Sequence, residues 1–232
     1  MVAQHNGTSD LSAARDRMIR QLLREVGDER VVQAVASVPR ERFVPPELRA
    51  RAYDDGALPI GEGQTISQPL IVAIMTLGLD LRPGDRVLEV GTGSGYQAAV
   101  LSRLVREVIS VERHEALRTR AQELLADLGC RNVHVYPAGD VLGRAEDAPY
   151  DAIVVTAGAP HVPRALIDQL AEGGRMVVPV GSLRTQELVV ARKTPHGLEI
   201  TRLGPCGFVP LVGRDAWGEE SQAEASRRIK VQ

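Results

Sequence analysis

The chain has few of the residues on which several function classes depend. Only two cysteines, Cys130 and Cys206, occur in 232 residues, and they lie far apart. They form neither a CxxC pair nor a zinc-ligand spacing, which excludes a cysteine-based zinc or dithiol redox centre. One disulfide between them is open, but free buried thiols in a reducing cytosol are the expected state. A basic excess is also missing: 28 Lys and Arg face 30 Asp and Glu, a formal charge of -2. A nucleic-acid binder usually carries such an excess, so polypeptides or small molecules are the expected substrates. No apolar run approaches the roughly 20 residues of a membrane helix. The polar segment Met1–Asp10 lacks the apolar stretch of a signal peptide, and a cytoplasmic location without membrane contact is expected. The histidines His5, His114, His134, His161 and His196 share no ligand spacing, so no metal site is expected. Internal repeats and low-complexity segments are absent.

What is present suits one α/β core. The length is short for two independent domains, and 44% hydrophobic with 25% charged residues is ordinary for a globular protein. Residues 1–10 read as a flexible tail, 11–215 as a single domain and 216–232 as a C-terminal tail. Within the domain, 11–80 carries N-terminal helices and an active-site loop, and 81–215 a Rossmann-like core. Leu11, Met18, Ile19, Leu22 and Leu23 recur at helical spacing. Gly27 ends that helix and Asp28 caps the next. From Arg40 to Pro69 periodicity is lost, and a loop of that length inside a compact domain is often functional. A helix follows, through Leu70 to Leu77. After Pro83-Gly84-Asp85 strands and helices alternate: strands at Arg86–Val90, Val108–Val111, Val133–Tyr136, Ala152–Val155 and Gly174–Val180, helices at Tyr96–Leu104, Glu115–Leu128 and Pro163–Leu170. Leu188–Arg192 and Leu198–Leu203 form a closing antiparallel hairpin. The expected fold is therefore a mostly parallel, doubly wound α/β sheet, with a C-terminal hairpin and an N-terminal helical extension.

The sharpest chemical signal is the strand-to-helix turn Val87-Leu-Glu-Val-Gly-Thr-Gly-Ser-Gly-Tyr96. Gly91 and Gly93 remove Cβ atoms where a ligand would approach, and Gly95 permits close packing at the helix start. Thr92, Ser94, Tyr96 and Gln97 belong to the same loop. The pattern is GxGxG rather than the GxGxxG of dinucleotide sites. Glu89, just before the turn, would repel a pyrophosphate and suits a ligand with a positive end and no phosphate. S-adenosyl-L-methionine has both properties. Glu112, beside Arg113, lies about 20 residues on, where an acid can accept from both ribose hydroxyls. Gly139-Asp140-Val141 follows the third strand, and Asp140 could accept from an adenine amino group. Taken singly, the turn reads equally as a tight connection, Glu112 as a solvated helix-start carboxylate and Asp140 as a turn residue. Their joint spacing favours the cofactor site, and with it a doubly wound sheet of the class I methyltransferase type.

Several segments together resemble one family, the protein-L-isoaspartate O-methyltransferases. They are Val38-Pro-Arg-Glu-Arg-Phe-Val-Pro45, Gly61-Glu-Gly-Gln-Thr-Ile-Ser-Gln-Pro69, Glu89–Gln97, Ser110-Val-Glu-Arg113, Tyr150–Ala157, Gln169–Arg175 and Phe208-Val-Pro-Leu211. They occur in the family's order. The resemblance implies methyl transfer from S-adenosyl-L-methionine to the free α-carboxylate of L-isoaspartyl residues in damaged proteins and peptides. The ester then collapses to a succinimide that reopens to aspartyl. It also implies Ser67 as the active-site residue, with Gln64 and Thr65 in the cofactor-covering segment. The chain departs from the family pattern at Cys206-Gly207, before Phe208, and at Val141, where a glycine is usual.

A carboxylate with a reference pKa near 4 is already ionised at neutral pH, so the reaction needs no strong base. Ser67 is therefore expected to hydrogen-bond the attacking carboxylate. The residues alone favour a helix N-cap, and the resemblance is what turns the reading to the functional role. Trp217 reads either as part of a lid or as an anchor of the tail. A monomer is expected. The rival readings are a class I methyltransferase for another carboxylate or a small molecule, a non-catalytic cofactor binder and, more distantly, an NAD-dependent oxidoreductase.

Overall fold

A computed structural model describes the backbone of residues 5–221 and the side chains of residues 10–221. Residues 1–4 and 222–232, the outer parts of the two expected tails, lie outside the described residues. Helix α1 (His5–Val26) starts inside the segment read as a tail. Gly27, at φ +71, ends it. Asp28 caps α2 (Glu29–Ala36) as expected, accepting the Val31 N–H at 3.0 Å.

The stretch read as irregular holds more structure than its composition suggests. Arg40–Arg42 and Pro46–Arg51 form short 3-10 turns. Beyond them β1 (Leu58–Gly61) and β2 (Gln64–Ile66) pair as a small antiparallel hairpin. Strands of four and three residues are too short for alternation to stand out in a sequence. The turn between them places Gly61, Glu62 and Gly63 all at positive φ. Helix α3 (Pro69–Gly78) follows directly.

The rest alternates: β3 (Arg86–Val90), α4 (Tyr96–Leu101), β4 (Glu107–Glu112), α5 (Glu115–Asp127), β5 (Val133–Pro137), β6 (Tyr150–Val155), α6 (Arg164–Gln169), β7 (Leu170–Gly181), β8 (Gln186–Thr194) and β9 (Gly197–Cys206). The seven strands from β3 onward form one sheet in the order β5-β4-β3-β6-β7-β8-β9. Strands β3 to β7 run parallel, and β8 and β9 close the sheet antiparallel. This is the class I methyltransferase architecture expected. Strand β7 starts at Leu170 rather than Gly174, its register against β6 shifting between Tyr150 and Ala152. Both cysteines are free.

Alternation along the strands divides the core into two layers. Val87, Val108, Ala152, Val154 and Val177 face the layer packed by α1 to α5. Leu88, Ile109, Val111, Ile153, Met176 and Val178 face the other, with Leu166 of α6. The chain winds outward from β3 through β4 to β5, then returns to lay β6 on the other side of β3. A crevice opens at the carboxyl ends of the strands on either side of such a reversal.

One buried ion pair ties the sheet to the N-terminal helices. Arg175 of β7 meets Asp85 at 2.7 Å with both side chains nearly inaccessible. Its Nε donates to Leu79 O at 2.6 Å and its Nη1 to Asp151 O at 3.0 Å. Removing one partner of a buried pair strands the other charge, at a cost of about 3–5 kcal/mol. Arg175→Met should lower the unfolding free energy by that amount in urea titrations; a loss of less than about 1 kcal/mol would show that the pair is dispensable.

Candidate active site

The crevice is a cavity of about 1000 Å³, its open mouth included, at the carboxyl ends of β3, β4, β5 and β6. The glycine loop forms its floor with Gly91, Thr92, Gly93, Ser94, Tyr96 and Gln97. Glu112, Arg113 and His114 line it after β4, and Gly139 and Val141 after β5. Gln64, Thr65 and Ser67 cover it from the hairpin side. Of the site residues expected from sequence, only Glu89 and Asp140 stay outside the lining.

The hydrogen bonds of the glycine loop decide what it can hold. Gly91 N–H and Thr92 N–H donate to Val111 O at 2.9 and 3.2 Å, and Gly95 N–H to Thr92 O at 2.8 Å. Gly93 N–H donates to Glu112 Oε2 at 2.8 Å. A phosphate-binding turn needs such N–H groups free and pointed at the anion. Here they are spent inside the protein, and a carboxylate stands where a phosphate would sit. Gly95, at φ +88, lets α4 lie on α5, for its Cβ would come 3.3 Å from Ala121 and Leu125. Gly91 has a different reason from the one expected. Its Cβ would fall 2.4 Å from Thr156 Oγ1, so Thr156, not a ligand, demands the glycine. The Thr156 hydroxyl donates to Gly91 O at 2.5 Å and holds the turn against β6.

The three expected acids divide. Glu112 is 5% exposed. One carboxylate oxygen accepts from Gly93 N–H and the other from His114 N–H, each at 2.8 Å. The group is thereby fixed, with lone pairs remaining for ligand hydroxyls. Glu89 is a correction. It is fully buried behind the loop, with Oε2 at 2.5 Å from the Ser110 hydroxyl, itself 2.5 Å from the Thr92 hydroxyl. Burial pushes its carboxyl up to about 8, which favours the protonated form at neutral pH and makes it a support for the turn rather than a charge in the cavity wall. Asp140 is exposed in the turn after β5, between Gly139 and Val141, which both line the cavity.

Gln97 is 6% exposed. Its Nε2 donates to Thr76 Oγ1 at 3.0 Å. Its Oε1 is buried and has no protein donor. A cavity-lining acceptor of that kind suits a cationic N–H donor such as an ammonium. Arg113 holds Glu219 through two contacts of 2.7 and 2.8 Å, drawing the C-terminal segment toward the cavity rim. Trp217 N–H donates to Leu211 O at 3.0 Å, so this segment is anchored to a cavity wall.

Ser67 stands between two spaces. It lines the main cavity and also a neighbouring cleft formed with Gln68, Ile71, Cys206, Gly207 and Phe208. The N-cap of α3 is Gln68, whose side chain does not cap the helix; the first-turn Leu70 N–H donates instead to Asp55 Oδ1 at 3.2 Å. The Ser67 hydroxyl is therefore not spent on the helix. The cleft lining contains no Asp, Glu, His, Lys or Arg. Its one ionisable side chain is Cys206, whose thiol burial pushes up to about 11. Three contributions were not assigned from sequence: His114, whose Nε2 lies 3.4 Å from Gln64 Nε2, Thr156, and the segment Val209–Val212. Thr156 and Phe208–Leu211 lie in segments singled out by resemblance, which gave them no role.

The family described as protein-L-isoaspartate(D-aspartate) O-methyltransferase matches residues 13–216. The chain belongs to this family. A protein-L-isoaspartate O-methyltransferase of Syntrophobacter fumaroxidans is 51% identical over 206 residues, 88% of this chain and 96% of that one. One from Methanoculleus marisnigri is 52% identical over 197 residues, 85% of this chain and 90% of that one. Among solved structures, a protein-L-isoaspartate O-methyltransferase matches with a TM-score of 0.77 and 30% identity, over 87% of this chain and 67% of that one. A putative family member from Plasmodium falciparum, in complex with S-adenosyl-L-homocysteine, matches at 0.72 and 26%, over 90% and 99%. Residues of this methyltransferase are compatible with such a ligand: Glu112 is fixed with lone pairs open to hydroxyls, Gln97 Oε1 is a buried acceptor without a protein donor, and four of the loop's N–H groups are already bonded within the protein.

The state of Glu89 can be read from stability. Its carboxyl titrates at about 8 in the native chain against 4.5 as the ordinary value. Between those values the native state holds a proton that the unfolded state has lost, so stability falls as pH rises, and the cost is complete above the native value. Glu89→Gln removes that slope. The urea midpoint of the variant relative to wild type should therefore rise from about pH 5 to about pH 8.5; a constant difference would mean that Glu89 ionises normally.

Proposed function

We propose that this protein transfers a methyl group from S-adenosyl-L-methionine to the free α-carboxylate of L-isoaspartyl residues in damaged proteins and peptides, beginning their return to aspartyl. The observation that carries this reading is the position of Ser67, with a hydroxyl unspent on the helix, in the wall shared by the two spaces. Glu112 would hold the ribose hydroxyls, Gln97 Oε1 the ammonium, and Gln64 and Thr65 would cover the ligand. Bound S-adenosyl-L-methionine supplies an electrophilic methyl on a sulfonium.

The protein's part is alignment and exclusion of water. An isoaspartyl carboxylate reaches the cleft already ionised, so the absence of a base from the lining is no obstacle. Ser67 would donate to one carboxylate oxygen and leave the other to attack in line. Such positioning supplies up to about 7–11 kcal/mol of a barrier. Opposite charges neutralise as the new bond forms, which an interior of low polarity favours over bulk water. A cleft wall without acids does not repel the anionic substrate. Residues 11–215 would work as one domain, and we read the chain as a cytoplasmic monomer that uses neither nucleic acid nor membrane. The balanced charge supports this; so does the fact that no helix among the described residues is long and apolar enough to cross a membrane.

With an isoaspartyl peptide and its aspartyl twin, labelled methyl should pass from S-adenosyl-L-methionine to the first alone. Ser67→Ala should cut the rate about tenfold or more, the worth of one hydrogen bond to a charged group. Binding of S-adenosyl-L-homocysteine, followed by calorimetry, should stay within about twofold of wild type. Undiminished turnover in Ser67→Ala would remove the serine from the mechanism, and equal labelling of both peptides would remove the proposed substrate.

A further inference from the structure

The segment Phe208–Leu211 walls both spaces, yet it belongs to no strand or helix, and besides the Trp217 bond to Leu211 O its hold on the protein comes from two places. Val209 and Leu211 bond to Gly158, just beyond the end of β6. Gly158 N–H donates to Val209 O at 2.8 Å, and Leu211 N–H donates to Gly158 O at 2.8 Å. Phe208 has no such backbone partner. A side chain serves it instead. Gln186, the first residue of β8, is 5% exposed. Its Oε1 accepts Phe208 N–H at 2.7 Å, and its Nε2 donates to Phe208 O at 3.3 Å and to Ser182 O at 3.1 Å. The amide orientation follows from these bonds, since a flip would set the amide oxygen against two carbonyls and the NH₂ against an N–H. The carboxamide thus occupies the place of a strand neighbour for one residue. Gly158 shows how closely it is seated, for a Cβ there would lie 2.7 Å from Gln186 Cδ.

We infer that Gln186 is a positioning residue for the acceptor side of the reaction: by clamping both backbone groups of Phe208, it sets the wall of the cleft beside Ser67. The inference rests on the methyltransferase reading and deepens it. The two anchors divide the labour. Gly158 holds Val209–Leu211, which line the main cavity, whereas Gln186 holds Phe208, which lines only the cleft. Loss of the Gln186 carboxamide therefore loosens the seat of the peptide and leaves the cofactor's seat in place. Gln186 touches neither space and takes no part in bond making.

The test compares wild type with Gln186→Met, which keeps length without hydrogen bonds, and Gln186→Glu. The glutamate variant keeps an acceptor for Phe208 N–H but turns a carboxylate oxygen toward Phe208 O and Ser182 O. Both should raise KM for an isoaspartyl peptide about tenfold, with kcat and the affinity for S-adenosyl-L-homocysteine within about twofold of wild type. Hydrogen exchange at the Phe208 amide should quicken, while exchange at Leu211 should not. A folded variant with unchanged KM would overturn the inference, as would a parallel rise in KM and in the cofactor dissociation constant. If Gln186→Met does not fold, Gln186→Glu decides alone. If wild type methylates no isoaspartyl peptide, the proposed function fails, and exchange at Phe208 still reports whether the clamp exists.

Discussion

The bond from Gly93 N–H to the Glu112 carboxylate governs the chemistry of the cavity. It places a fixed negative charge at the turn after β3, with His114 N–H holding the other oxygen. The neighbouring loop amides close on Val111 O and Thr92 O. Together these bonds convert a fold often used to cradle phosphates into one that prefers hydroxyls and positive charge. Ligand choice here is thus a matter of which donors the backbone has already spent. The glycines shape the turn, but Glu112 and Val111 determine its polarity.

The sheet order explains why two spaces meet at one serine. Because the winding reverses between β3 and β6, the crevice lies where α3, the hairpin β1–β2 and the segment after β9 can all reach its mouth. The hairpin and the start of α3 bring Ser67 from one side, and the end of β9 brings Cys206 to Val209 from the other. These are short segments: the hairpin pairs over only a few residues, and the chain beyond Cys206 is held by the Gln186 carboxamide and by backbone bonds to Gly158. A rigid sheet thus fixes the donor side, and tethered loops fix the acceptor side.

How much of this was legible in the sequence depended on length and on depth. The central strands and the cap at Asp28 were plain, because apolar runs and capping chemistry act locally. The hairpin at 58–66 was not, because its strands are shorter than the alternation that would reveal them. Glu89 was correctly set beside the turn yet wrongly given a charge facing the ligand. In the register it pairs with Ser110, whereas Glu112 lies two residues further along, about 7 Å nearer the crevice. One step inside the end of a strand is enough to turn a ligand contact into a buried neutral acid. For Asp140, spacing shows that a turn follows β5 but not how far its side chain reaches toward the crevice. The clamp at Gln186 joins residues 22 positions apart through a side chain, and no periodicity marks such a bond.

Cys206 gives the acceptor cleft a built-in hazard. A sulfonium methyl is attacked readily by sulfur, and this thiol lines the same cleft as Ser67. Burial, and after it the nearby Glu187, push it up to about 11, so the thiol form prevails at neutral pH. The surroundings that suit a carboxylate oxygen thus keep the sulfur protonated and sluggish. The burial that raises this thiol works against its alkylation, so oxygen rather than sulfur is the ready nucleophile in the proposed reaction.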